Sequence, residues 1–227
     1  NLEARGSLYV QFMTETQIAM IKDFSKFLRE ETGYKGLVTD ANFRESMPQA
    51  LIRNELDFVD NHTYWDHPGF LPNRSWSFPM VFQQQSALNA AIIVPKMLFP
   101  TRVFGKPFTV TEINYTFPNR YRSEGGPLIG AYASLQDWDA VYRFAWAHDR
   151  QSILREKPIN GFDTVRDPVN TIADKIVHFM FVRGDVDAAK TAIALPFSQK
   201  TYEKNVASNL IHFPAGFELA GLSYRVG

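Results

Sequence analysis

The stretch Pro107-Phe108-Thr109-Val110-Thr111-Glu112-Ile113-Asn114-Tyr115 decides the fold. Strand-forming residues alternate along it and carry the backbone to a carboxylate, after which the sequence turns polar and aromatic. Three other stretches follow the same plan. Gly36-Leu37-Val38-Thr39 ends in Asp40-Ala41-Asn42-Phe43, and Leu56-Asp57-Phe58-Val59 ends in Asp60-Asn61-His62-Thr63-Tyr64-Trp65-Asp66-His67. Ala140–Ala145 ends in Trp146-Ala147-His148-Asp149. In all four, the chemically interesting side chains follow the strand on its C-terminal side. The strands themselves are almost continuously apolar, as expected of strands buried on both faces of a parallel sheet.

Helical patterns separate these strands. Ile18, Ile21, Phe24, Phe27 and Leu28 recur at three- and four-residue spacing and predict a helix over 14–31, with Thr14 and Gln17 as a capping box and Gly33 as its stop. Pro48 in a first turn predicts a short helix over 47–54. A third helix is expected from Ser86 to Leu98, kinked or ended by Pro95. A fourth runs from Gly125-Gly126-Pro127 through Leu135. Asp167 as N-cap and Pro168 at the first helical position open a last one, which runs to about Phe181 and stops near Gly184. Beyond this point Thr191–Phe197 and Phe217–Tyr224 read as strands of a different, β-rich module.

The rhythm is α/β, and no Gly-rich phosphate turn follows any strand, as a doubly wound sheet usually has. Four βα units are half of a (β/α)8 TIM barrel, whose full length is about 250 residues. The expected fold is therefore the C-terminal half of such a barrel, about strands 5–8, over residues 1–184. Residues 185–227 would begin a truncated β-sandwich-like accessory domain. Strands one to four would lie upstream, and the remaining barrel half, or an oligomer, would be needed to cover the open sheet edges.

Composition narrows the partners. The 227 residues contain 24 Lys+Arg and 24 Asp+Glu, a balance that offers no basic footprint for nucleic acid or an anionic membrane surface. With no Cys, disulfides, thiolate nucleophiles and thiolate metal sites are excluded. No apolar run approaches the length of a membrane-spanning helix. The 19 Phe, 9 Tyr and 4 Trp are enough to supply both a core and exposed stacking surfaces.

Three strand ends carry a resemblance. Thr111-Glu112-Ile113-Asn114, Asp60-Asn61-His62-Thr63-Tyr64-Trp65 and Phe144-Ala145-Trp146 resemble the ends of strands seven, six and eight in the clan of retaining glycoside hydrolases with (β/α)8 domains, which includes cellulase-, mannanase- and β-galactosidase-like enzymes. The likeness spans roughly residues 10 to 183. It implies Glu112 as nucleophile, Tyr64 as the hydroxyl that hydrogen-bonds it, His62 beside them, and Trp146 as the floor of a sugar subsite. The chain departs from the clan in one respect: the acid/base Glu that follows an Asn at the end of strand four has no counterpart here. It is expected upstream, which would leave the 227-residue polypeptide inactive alone.

The chemistry is consistent with that implication. Retention needs two carboxyl groups about 5–5.5 Å apart, one attacking the anomeric carbon and one protonating the leaving oxygen. Sugar hydroxyls need donors and acceptors, for which Asn42, His62 and Asn114 are suitable types, and the apolar faces of pyranose rings need flat surfaces such as Trp65, Trp146, Trp76 or Tyr115. The substrate expected is a β-linked oligo- or polysaccharide, with no cofactor and no metal. A signal peptide on a missing N-terminus would make a bacterial enzyme of this kind secreted or periplasmic. Two alternatives remain open from the sequence. One is a metal-dependent barrel hydrolase using Asp40, His62, His67 and His148; the other is a carbohydrate-binding barrel without catalysis.

Overall fold

A computed structural model of the chain describes residues 2–40, 42, 46–154, 159–196, 198 and 212–227. It is a mixed α/β structure whose main sheet has three parallel strands in the order β1-β4-β5 (Val59–Trp65, Phe108–Tyr115 and Ala140–Arg143). Two-stranded pairs complete the β structure. β2 (Gly69–Phe70) runs antiparallel to β3 (Met80–Val81), and β6 (Ala192–Ile193) runs parallel to β7 (Arg225–Val226). The chain divides into two compact units, Asn1–Asn61 with Leu98–Thr109 and Lys190–Gly227, and His62–Met97 with Val110–Ala189.

The first unit is built on α1 (Leu2–Glu30) and α2 (Met47–Arg53). Ile21, Ile52 and Leu56 form its buried apolar cluster, with Ile18 and Val38 packed against it. Arg29 closes the loop after α1, donating to the carbonyl of Tyr34 at 3.1 Å and pairing with Asp57 at 2.7 Å. The backbone N–H of Val38 donates to the same Asp57 carboxylate at 2.7 Å. Arg53 is almost fully buried, and its guanidinium donates to Asn61 Oδ1 at 3.1 Å and to the Asp60 carbonyl at 3.0 Å. Those bonds offset the cost of removing the charge from water.

The second unit holds most of the main sheet with α4 (Gly125–Leu135) and α6 (Pro168–Val177) packed on each other. Asp167 caps α6, accepting from the Val169 N–H at 3.0 Å, and Pro168 fills the first helical position where a missing N–H costs nothing. The fully buried Asp167 also takes a two-pronged contact from Arg122, at 2.6 Å from Nε and 3.1 Å from the second guanidinium nitrogen. Gly126 lets the helices meet backbone to backbone, because a Cβ there would lie 2.7 Å from Ala173 Cα.

Several expected elements take another form. The first helix begins at Leu2, so Thr14 is no cap; it lies mid-helix and its hydroxyl donates back to the Val10 carbonyl at 2.8 Å. Gly36–Thr39 is not a strand, and Leu37 is exposed there. The strand expected over 56–59 instead begins at Val59, because Glu55 and Leu56 complete turns on the end of α2, donating to Ile52 O and Arg53 O. The polar run 60–65, expected as loop, is strand because its side chains find partners on the neighbouring strand and helix. Ser86–Leu98 is not one helix. Ala91 and Ile92 stand at positive φ (54° and 56°), Val94 is extended, and only Ile93–Lys96 (α3) remains before a 3₁₀ turn at Phe99–Thr101. β5 stops at Arg143, where the chain bends, and a short helix α5 (Arg150–Leu154) follows. Phe217–Ala220 is a helical turn (α7) rather than a strand, and of Thr191–Phe197 only Ala192–Ile193 pairs as strand, with Phe197 outside the described residues.

The close crossing at Gly126 generates a test. Gly126→Ala places a methyl against the α6 backbone and should cost about 1–3 kcal/mol, read as a lowered midpoint in chemical denaturation. An unchanged midpoint would show that the two helices separate freely.

Candidate active site

Glu112 lies within β4 rather than at its end, since the strand continues through Tyr115. Alternation along β1 puts His62 and Tyr64 on one face of the neighbouring strand, and both reach the Glu112 carboxylate. The Tyr64 hydroxyl donates a short hydrogen bond to Oε2. His62 Nδ1 stands 3.3 Å from the same oxygen, and its Nε2 lies 2.8 Å from the Thr111 hydroxyl. A carboxylate only accepts, so the neutral tautomer that suits this arrangement carries its proton on Nδ1 and receives the Thr111 O–H at Nε2. The Glu112 side chain retains 30% of its exposure.

Burial pushes the Tyr64 phenol pKa up, and the hydrogen bond to Glu112 and its negative charge raise it further. Ionising the phenol would set two negative charges against each other in a partly dry site. Tyr64 is therefore a permanent donor to the carboxylate. The arrangement suits an anion that must keep one oxygen hydrogen-bonded and the other available.

Aromatic rings fix Tyr64 from the side. Phe162 meets it edge-on at 5.0 Å, His67 at 5.7 Å and Phe144 at 6.1 Å between centroids. Trp76 continues this surface outward, 6.1 Å from Phe162 and 4.8 Å from Phe70. The sequence placed Phe144 within the fourth strand and at the strand-eight end without giving its ring a role, and Phe162 was not singled out; both lie outside the observed strands.

The other candidate residues separate by exposure. Trp146 is exposed, and the half-buried Trp65 donates its indole N–H to the Gln85 carbonyl at 2.9 Å. Asn42, in the first unit, is a half-buried turn residue. Asn114 and Tyr115, expected as sugar contacts, have no exposed surface. The Asn114 amide donates to the carbonyls of Phe144 at 2.7 Å and Phe162 at 2.8 Å, while its oxygen accepts from Arg143 at 2.9 Å. Tyr115 directs its hydroxyl inward to the Val94 carbonyl. Glu124 accepts from the Ser86 hydroxyl at 2.7 Å and the Ala87 N–H at 2.8 Å.

The residues of the metal reading do not converge. Among the described residues no group of three or more His, Asp or Glu side chains is placed to hold an ion. His62 faces Glu112, whereas His67 sits among Tyr64, Phe70, Trp76 and Phe162. Asp66 is a buried clamp that accepts from the Gln84 N–H at 2.8 Å and the Asn119 amide at 3.2 Å, holding the 66–85 loop.

No protein-family model, no curated protein and no solved structure matches this chain.

The position of Tyr64 can be checked by its titration. Because its phenol is held protonated well above the usual tyrosine value of about 10, Tyr64→Phe should leave unchanged the tyrosinate absorbance that the folded protein develops up to about pH 11. Loss of one titrating tyrosine in the variant would contradict the buried hydrogen bond to Glu112.

Proposed function

We propose that the chain is part of a retaining glycoside hydrolase that cleaves β-linked oligo- or polysaccharides through a covalent glycosyl-enzyme on Glu112. One observation carries this reading: a partly exposed carboxylate on a parallel strand, held by a tyrosine hydroxyl and faced by an imidazole, with aromatic rings alongside. A nucleophile of this kind must remain ionised and aimed. The Tyr64 hydrogen bond serves both needs, since it stabilises the anion and limits its rotation.

In the reaction, Glu112 attacks the anomeric carbon while a carboxylic acid protonates the departing glycosidic oxygen. Water then attacks the glycosyl ester with help from the conjugate base of that acid. This reading assigns the acid/base to a residue outside residues 1–227, as the half-barrel interpretation requires. The order of the three parallel strands and the packing of α4 on α6 support a βα succession of the (β/α)8 type over 1–184. The exposed apolar residues of α1, among them Leu8, Tyr9, Phe12, Phe24 and Phe27, support a covering partner, which is either the other half of the barrel or another copy of the chain.

Two outcomes test the reading. In the complete enzyme, a 2-deoxy-2-fluoro glycoside with a good leaving group should label Glu112, as located by peptide mass spectrometry. Glu112→Gln should abolish labelling and lower turnover on the order of 10⁴-fold or more. Labelling of a different carboxylate would displace Glu112 from the nucleophile's role. The isolated 227-residue chain should show no turnover of aryl β-glycosides, and measurable turnover would overturn the assignment of the acid/base to a residue outside it.

A further inference from the structure

Against Phe144 and Phe162, whose rings also contact Tyr64, stands a second pair of ionisable groups that the proposed chemistry does not use. His148 Nδ1 makes a short hydrogen bond to Asp163 Oδ1. The carboxylate is buried, with 4% of its side-chain surface exposed, whereas the imidazole is 39% exposed. Phe144 touches both sites, meeting the Tyr64 ring at 6.1 Å and the His148 ring at 5.2 Å, edge-on in each case. The imidazole is thus two ring contacts from the hydroxyl that holds Glu112.

The pair is rigidly mounted. The Ala145 N–H donates to the Phe162 carbonyl at 2.8 Å, Thr164 N–H to Ala145 O at 2.9 Å, and Val165 N–H to Trp146 O at 3.1 Å. These bonds bind the segment carrying Asp163 to the segment carrying His148. Because the Asp163 carboxylate only accepts, it takes the proton of Nδ1, and the neutral ring carries its lone pair on Nε2. A buried carboxylate behind a half-exposed imidazole therefore presents an oriented acceptor with little freedom to turn away.

We propose that His148 is a saccharide-binding residue whose Nε2, held in the acceptor tautomer by Asp163, takes a hydroxyl of the sugar ring next to the one bound at Glu112. The proposal rests on the glycosidase reading of Glu112 and extends it: the site holds at least two sugar rings and distinguishes them by a hydroxyl. Asp163 is a positioning residue that acts through His148.

The test is long-range proton–nitrogen NMR of the full 227-residue chain, titrated separately with β-1,4-linked cellotriose, mannotriose and galactotriose. The neutral His148 ring is expected to carry its proton on Nδ1, and a trisaccharide that shifts the Tyr64 signals should also shift His148 Nε2. His148→Ala should raise that trisaccharide's Kd about tenfold. His148→Gln, whose amide oxygen can accept in place of Nε2, should recover part of the loss. Asp163→Asn offers a donor to Nδ1, so it should move the ring proton to Nε2 and weaken binding as His148→Ala does. A purely structural role for the pair predicts no response of Nε2 to saccharide. A trisaccharide that shifts Tyr64, leaves Nε2 unmoved and binds His148→Ala equally well overturns this proposal and spares the glycosidase reading. If no trisaccharide shifts either residue, the proposal falls; labelling of Glu112 in the complete enzyme then decides separately whether the glycosidase reading falls with it.

Discussion

The buried amide of Asn114 is the interaction on which the site depends. From β4 it reaches the carbonyls of Phe144 and Phe162, two residues far apart in sequence, and its own oxygen is taken by Arg143. Each such bond contributes about 0.5–1.5 kcal/mol net, and the Phe162 carbonyl also accepts from the Ala145 N–H at 2.8 Å. Arg143 is itself buried, which disfavours its charge and lowers its pKa, while Asp174 at 2.7 Å acts in the opposite direction. A network of this kind is unforgiving when incomplete. It makes the bend after β5 and the segment around Phe162 a single assembly.

That assembly presents the aromatic wall. Phe144 and Phe162 pack edge-on against Tyr64, and edge-to-face contacts of this sort are worth about 0.5–1.5 kcal/mol each beyond the area they bury. They hold the phenol where its hydroxyl meets Glu112. The same backbone bonds carry His148 and Asp163. The tyrosine that holds Glu112 and the imidazole paired with Asp163 therefore pack against the same two rings, Phe144 and Phe162.

The sequence was most legible where local chemistry and tertiary environment agree. The helices over 47–53 and 125–135, the Asp167-Pro168 helix start and the central strand through Glu112 all follow from caps, prolines and apolar patterning. It was least legible where polar residues are buried. The run Asp60-Asn61-His62-Thr63 reads as loop by composition, yet it is strand: Asp60 accepts from Thr109 at 2.7 Å, Asn61 from Arg53, and His62 contacts Thr111. The partners lie eight to forty-nine positions away, so no local window contains them. Ser86–Leu98 fails in the opposite sense. Its apolar spacing is helical, but Ala91 and Ile92 take positive φ and Val94 is extended, which breaks the helical run that the spacing predicts.

Taken by itself, the sequence determined an α/β alternation, a balanced charge with no cysteine, and a carboxylate on a strand beside a polar, aromatic stretch. These follow from composition and from the periods of helix and strand, which are local properties. Only the tertiary structure decided which polar residues face outward. Glu112 stays partly exposed, whereas Asn114, two residues on and of equally suitable type, is fully enclosed. The difference arises because Asn114 meets two carbonyls and a guanidinium from segments that approach only in the folded chain. Burial of a polar group is decided by the partners it finds, and those partners are a property of packing.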